Sequence, residues 1–182
     1  MSAADLAAVP TASLSAVAAE DAMRAALKLD ARELAVRFAK AGSALPADPD
    51  RPDRYPLFAC LIAGALADGD PTAALAHADA GLAYDDGHNA GKRAAEFGVQ
   101  RGKLLAKAGH PDDAAAAFDA VLAAHPDEGK FYVVATEAML SAKQGAKAAA
   151  FAARGLETAR RTGNRDLEGA CTELAEAARR AG

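Results

Sequence analysis

The residues with chemical reach in this chain are few and widely spaced. Four histidines, His77, His88, His110 and His125, include no pair at i, i+4, and none has a Cys or carboxylate partner at ligand spacing. They therefore lack the shared face from which a Zn site is built and read as turn and surface residues. The stretch Gly87-His88-Asn89-Ala90-Gly91-Lys92-Arg93 has the outline of a phosphate loop. That loop needs four residues between its glycines and a Ser or Thr after its lysine to hold Mg²⁺. Here only three residues intervene, Arg93 follows the lysine and no strand pattern precedes, so the stretch reads as a turn. No Gly-x-Ser-x-Gly, His-Glu-x-x-His or Cys-x-x-Cys occurs. Neither catalysis, a metal nor a cofactor is expected, which makes an enzyme or small-ligand receptor on an α-helical bundle only a minor alternative. Lys143, Lys147, Arg154 and Arg161 recur at steps of 4, 7 and 7 and form one basic stripe, which could meet phosphate or a membrane surface. A solvated outer helix face is the reading preferred here.

The elements that must position these residues are helices. Of 182 residues 54 are Ala, only 5% are aromatic and none is Trp. Ala is the strongest helix former but buries little area, so the composition suits many closely packed helices better than one thick core. β-Branched residues are scarce, which argues against sheet. The net charge of −4 is unevenly spread: acidic residues lead over 1–54 and 55–128, basic ones over 129–182. That gradient is too weak for a nucleic-acid footprint. Met1 to Pro10 has no basic residue and no long apolar run, and no stretch reaches the ~18 apolar residues of a membrane span. The chain is expected to be cytoplasmic, without membrane insertion.

Residues 1–12 carry no periodic pattern and are expected to be a flexible tail. A first helix is expected from Ser13 or Ser15 to about Lys28, and a capping-box pair, Asp30 and Glu33, opens a second that ends at Gly42. Four prolines between Pro46 and Pro56 make an extended connection. Phe58, Leu61, Ile62 and Ala65 mark the next helix, Asp70-Pro71 opens its partner, and Asp85–Asn89 is expected to break that partner near Tyr84. A third pair turns at Gly109–Asp112 and a fourth at Lys143–Gly145. Asn164 caps a last helix, 165–180, with Leu167, Cys171, Leu174, Ala175 and Ala178 on one face. Superposing the small closing residues Ala41, Gly81, Val121 and Gly155 gives steps of 40, 40 and 34. Helix pairs at such a period predict an all-α solenoid, in which Cys60 and Cys171 lie in different repeats, too far apart for a disulfide.

On these residues the chain resembles the tetratricopeptide-repeat family. Gly102, Ala114, Phe118 and Pro126 match that family's pattern outright and Leu105 stands for its Tyr, whereas Gly98 and Arg101 depart from its Trp and Leu. Phe58 and Leu61, Tyr132 and Ala135, and Ala148 and Ala152 hold related places in the neighbouring repeats. Residues 154–165 resemble a longer bacterial variant of the repeat. The resemblance implies a right-handed solenoid over 13–182, of about four antiparallel pairs (15–48, 55–88, 95–128 and 129–162) plus a capping helix. It also implies a non-enzymatic scaffold or adaptor whose first helices line a concave groove for a peptide or partner helix. Projected by helical period, the groove residues are Ala59, Cys60, Ala63 and Leu66, then Glu96, Val99, Gln100, Lys103 and Lys107, then Lys130, Val133, Val134, Glu137 and Leu140. Leu66, Val99, Val133 and Leu140 are the expected anchors, with the charged residues selecting register. The Lys and Asn clamp that some members use on a C-terminal carboxylate is not matched, because Ala59 and Ala63 occupy its places. A structural alternative is head-to-tail self-assembly, a homo-oligomer built from the acidic centre and the basic C-terminal part.

Overall fold

The computed structural model describes residues 2–181. Among them are ten α-helices and no strand, and 78% of these residues are helical. The helices are α1 (Ala3–Ala7), α2 (Ala16–Lys28), α3 (Arg32–Ser43), α4 (Tyr55–Ala67), α5 (Pro71–His88), α6 (Ala94–Lys107), α7 (Pro111–Ala124), α8 (Gly129–Ser141), α9 (Gly145–Thr162) and α10 (Arg165–Ala181), with a 3-10 turn at Thr11–Ser13. They form two compact units, Met1–Ala94 and Ala95–Gly182.

One turn design recurs in both units. Asp30, Gly69, Gly109, Lys143 and Gly163 each adopt the left-handed conformation directly after a helix, with φ of 55, 76, 84, 57 and 68°. In each case the next amide donates back to a carbonyl five residues earlier: Ala31 to Ala26, Asp70 to Ala65, His110 to Leu105, Gln144 to Met139 and Asn164 to Ala159, at 2.8–2.9 Å. This satisfies a helix-end carbonyl and reverses the chain within a few residues, so successive helices pack antiparallel. Two of the five positions carry a side chain, which costs energy at positive φ. Lys143→Gly is therefore expected to raise stability by about 0.5–1 kcal/mol, read as a higher urea midpoint with an unchanged slope.

In the first unit, α2 turns Ala19, Met23 and Ala26 toward α3, whose Ala35, Phe38, Ala39 and Gly42 are buried. Leu57, Phe58, Leu61 and Ile62 of α4 and Ala74, Ala78 and Gly81 of α5 continue this core. Ser15 accepts the Ala18 N–H at 3.2 Å to cap α2, and Asp70 accepts the Ala73 N–H at 2.8 Å to cap α5. Three expectations are corrected here. The Asp30–Glu33 capping box does not form: Asp30 is the left-handed residue of the turn, Ala31 is the N-cap of α3, and it makes no side-chain cap bond. Residues 1–12 contribute a helix, α1, in which Ser2 and Asp5 form a capping box and Leu6 is buried. Arg37 of α3 donates to the carbonyls of Leu6, Ala7 and Val9 at 3.0–3.3 Å, tying the end of α1 down. Last, α5 runs past Tyr84 to His88. Asp85 stays helical and buried, and its carboxylate accepts from Asn89 Nδ2 at 2.7 Å and from the Arg93 N–H at 2.8 Å. The break falls instead at Ala90 and Gly91, both left-handed.

In the second unit several helix approaches are made over glycine, and one of them seats an aromatic ring. A Cβ at Gly102 would stand 2.8 Å from the Phe118 ring, so only glycine lets α6 lie against that ring. Phe118 in turn meets Phe151 of α9 edge to face, with centroids 6.0 Å apart. The basic stripe of α9 is also accounted for. Lys147 pairs with Asp112 at 3.0 Å, Arg154 with Asp119 at 2.5 Å and Arg161 with Asp127 at 2.5 Å, a ladder between α7 and α9 and their ends. Each pair spans 34 or 35 residues, the repeat length in this part of the chain. All lie at the surface, with Lys147 half-buried, and each contributes only about 0–1 kcal/mol, but together they favour one register of α9 on α7. α10 closes the unit. Asn164 accepts the Leu167 N–H at 3.0 Å, and Leu167, Cys171 and Ala178 are buried, with Leu174 and Ala175 half-buried beside them. The outer residues Glu173, Glu176, Arg179 and Arg180 are exposed.

Candidate functional site

The residues expected to line a groove are spread over both units. Leu66 of α4 is half-buried. On α6, Glu96, Val99 and Gln100 are half-buried, while Lys103 and Lys107 are exposed. Their spacing of 4, 3 and 4 from Glu96 through Gln100, Lys103 and Lys107 places these polar residues on one helix face. On α8, Lys130 is exposed, pairs with Glu128 at 3.3 Å and lies over the Phe131 ring, while Glu137 is exposed and Leu140 half-buried. Val133 departs from expectation. It packs against a buried cluster of Ala159, Leu167 and Cys171, because α10 lies on α8 as well as on α9 and covers that flank.

The concave apolar surface of the first unit lies between α2 and α4, which stand side by side on α3. A cavity of about 320 Å³ is walled by Met23 and Leu27 of α2, Val36 of α3 and Ala59, Cys60 and Ala63 of α4, with Arg24 and Arg32 at its rim. The three α4 residues are among those projected from the helical period. Their small size keeps the cavity open, because a Cβ at neighbouring Gly64 would already collide with Val36. Leu27 is 51% exposed, and it and Leu29 are the large apolar side chains left in water among the described residues. The sequence signal for this surface was Leu27 itself, an extra aliphatic residue one position beyond the Ala19–Met23–Ala26 stripe.

Burial pushes the thiols of Cys60 and Cys171 up, which holds both protonated and poorly nucleophilic. Cys60 is half-buried at the cavity and Cys171 is fully enclosed. Maleimide or iodoacetamide is therefore expected to label one thiol slowly in the folded protein and both in denaturant, counted by intact mass.

Beside this apolar surface the Pro-rich connection builds a polar one. A cavity of about 410 Å³ is bounded by Ala16, Val17, Glu20 and Arg24 of α2, residues 50–54, the first turn of α4, and Arg93. Glu20 bonds Arg24 at 2.6 Å, and Asp53 bonds Arg93 at 2.6 and 2.9 Å. Burial raises the Asp53 carboxyl, but the bonds from Arg93 and from the Tyr55 N–H, with the Arg93 charge, outweigh it and hold the pKa below the usual carboxylate value. Arg54 is 3% exposed and donates to the carbonyls of Ser43, Leu45 and Pro46 while stacking on Tyr84 at 4.8 Å. Pattern reading missed this network, because its members are joined only by the fold.

No protein-family model matches the chain, and no curated protein matches it in sequence. Among solved structures, "MamA RS-1 ArsTM double mutant" matches with a TM-score of 0.58 at 18% identity, over 91% of this chain and 95% of its own. MamA contains tetratricopeptide repeats. Likeness at that identity speaks for architecture alone, and on it the chain has a tetratricopeptide-like helical fold.

Proposed function

We propose that this chain is a non-enzymatic scaffold or adaptor that binds a peptide or a helix of a partner protein on the exposed faces of its first helices. The observation that carries this reading is the apolar cavity between α2 and α4 with Leu27 half in water at its edge. Leu27, about half in water, forgoes roughly half of the about 1.5–3 kcal/mol that full burial of a Leu supplies, which a docked partner recovers. The tetratricopeptide-like neighbour supports the reading at the level of fold. We extend it to a right-handed solenoid of about four helix pairs closed by α10, in a bacterial cytoplasm. Leu66, Glu96, Val99, Gln100, Lys103, Lys107, Lys130, Glu137 and Leu140 then belong to further stretches of the binding face.

A partner captured from the native host is expected to bind Leu27→Asp at least tenfold more weakly than the unaltered chain. Reversal of Lys103 and Lys107 to Glu is expected to weaken binding and its salt dependence, and Lys143→Glu to leave both unchanged. A partner indifferent to Leu27→Asp and to the Lys103/Lys107 reversal ends the reading. Head-to-tail self-assembly rests on the charge gradient, but Lys147, Arg154 and Arg161 are already paired with α7 and its end.

A further inference from the structure

We propose that the peptide bond between Lys92 and Arg93 is a processing site for an endoprotease that cleaves after lysine or arginine, and that Asp53 and Asp85 guard it. The stretch 87–93, which fails as a phosphate loop, then has a use of its own.

A protease of this class takes its substrate as an extended strand, so a bond inside a helix or a tight turn resists until the backbone opens. Of the 21 lysines and arginines, five stand outside the helices: Arg51, Arg54, Lys92, Arg93 and Lys143. Three of these are closed to attack. Pro52 follows Arg51, and its ring obstructs the bond that would be cut. The Arg54 side chain is buried, with its guanidinium bound to carbonyls. Lys143 lies in a short reversal in which the amides of Ala142, Lys143 and Gln144 all donate back to α8. What remains is the connection 89–93 between α5 and α6. Arg93 is half-buried there with its guanidinium on Asp53, whereas Lys92 is exposed. Ala90 in the same connection is held at a φ of 54°, a strain that opening relieves.

The guard acts on the bond itself. The nitrogen of the bond after Lys92 is the Arg93 N–H, which donates to one oxygen of the buried Asp85 carboxylate at 2.8 Å. Asn89 Nδ2 donates to the other oxygen at 2.7 Å. Asp53 holds the Arg93 side chain at 2.6 and 2.9 Å. Hydrolysis adds one water across the bond. Its hydroxyl goes to the Lys92 carbonyl carbon and its proton to the Arg93 nitrogen, which leaves as an amine. While Asp85 and Asp53 hold Arg93, the connection cannot extend into a protease, so the rate of cutting follows the fraction of chains that are locally open.

The position of the bond also decides the products. It falls just inside the end of the first compact unit, Met1–Ala94. Residues 1–92 keep the buried Phe38, Leu57 and Leu61, and residues 93–182 keep the buried Phe97, Phe118 and Met139. One cut is therefore expected to leave two folded halves.

Limiting trypsin acting on the full chain, followed by intact mass, tests this. The first products are expected to be 1–92 and 93–182, and each half is expected to outlast the intact chain at least tenfold. Asp53→Asn and Asp85→Asn are each expected to speed this cut at least threefold while leaving the rate of cutting after Lys107 unchanged. Lys92→Gln is expected to keep the chain whole at least tenfold longer. A first cut at any other bond, or halves digested as fast as they appear, overturns the processing site. Equal acceleration of every cut in both Asn variants, or of none, overturns the guard.

Discussion

Phe118→Ala is expected to lower the stability of the protein by about 3–5 kcal/mol, the range for truncating a fully enclosed aromatic side chain. The ring is 1% exposed, lies flush against the backbone of Gly102 and meets Phe151 edge to face. It therefore joins α6, α7 and α9. Truncation removes the transfer energy of the ring and leaves a void that α6 cannot close, because α6 is also held by Leu104 and Leu105 in the core. A urea titration followed by circular dichroism measures the effect. A loss below about 1 kcal/mol would mean that the ring fills no enclosed space. Gly102→Ala checks the same contact from the opposite side, since its new Cβ would stand 2.8–2.9 Å from three atoms of the ring. Destabilisation of about 1–3 kcal/mol is expected there from overpacking.

Arg54→Ala is expected to cost about 1–3 kcal/mol, because it strips a charged donor from part-buried carbonyls and empties the buried place of its own guanidinium. These carbonyls belong to Ser43, the last residue of α3, and to Leu45 and Pro46 just after it, so the guanidinium holds the Pro-rich connection to the end of that helix. The arginine also supplies a face to the Tyr84 ring. Arg54→Lys keeps the charge but lacks the fork that reaches several carbonyls at once, so it is expected to recover less than half of the loss. Equal stability of the lysine variant and the unaltered protein would reduce the role of Arg54 to charge alone. Thermal melts and limited proteolysis at the connection give the two readouts, with cleavage in 44–54 expected to accelerate in both variants.

Much of the architecture was legible because its determinants are local. Pro71 and Pro111 each open a helix, Ser15, Asp70 and Asn164 cap as their side chains allow, and Gly69, Gly109 and Gly163 sit where the chain must take positive φ. The Ala-rich composition and the small residues at Gly102 and Gly155 mark where helices approach closely. Local rules failed where a residue answers to a distant partner. Asp85 reads as a breaker beside Asp86 and Gly87, yet it stays helical because Asn89 and the Arg93 N–H satisfy its buried carboxylate. Asp30 reads as a cap, yet the reversal after α2 requires it in the left-handed turn. Residues 1–12 show no period, and their helix is held by Arg37, some thirty residues away.

The candidate site divides in the same way. Ala59, Cys60 and Ala63 could be projected from the helical period of α4 alone, since a helix fixes which of its own residues share a face. That Leu27 faces them across a groove, that Val133 is covered by α10, and that the basic stripe of α9 is paired rung by rung with Asp112, Asp119 and Asp127 depend on which helix lies beside which. By itself the sequence determined the helices, their turns and their repeat length, because those follow from backbone preferences over a few residues. Only the tertiary structure decided which exposed faces are already spent on neighbours and which remain open to a partner, because those pairings join residues 26 to 38 positions apart.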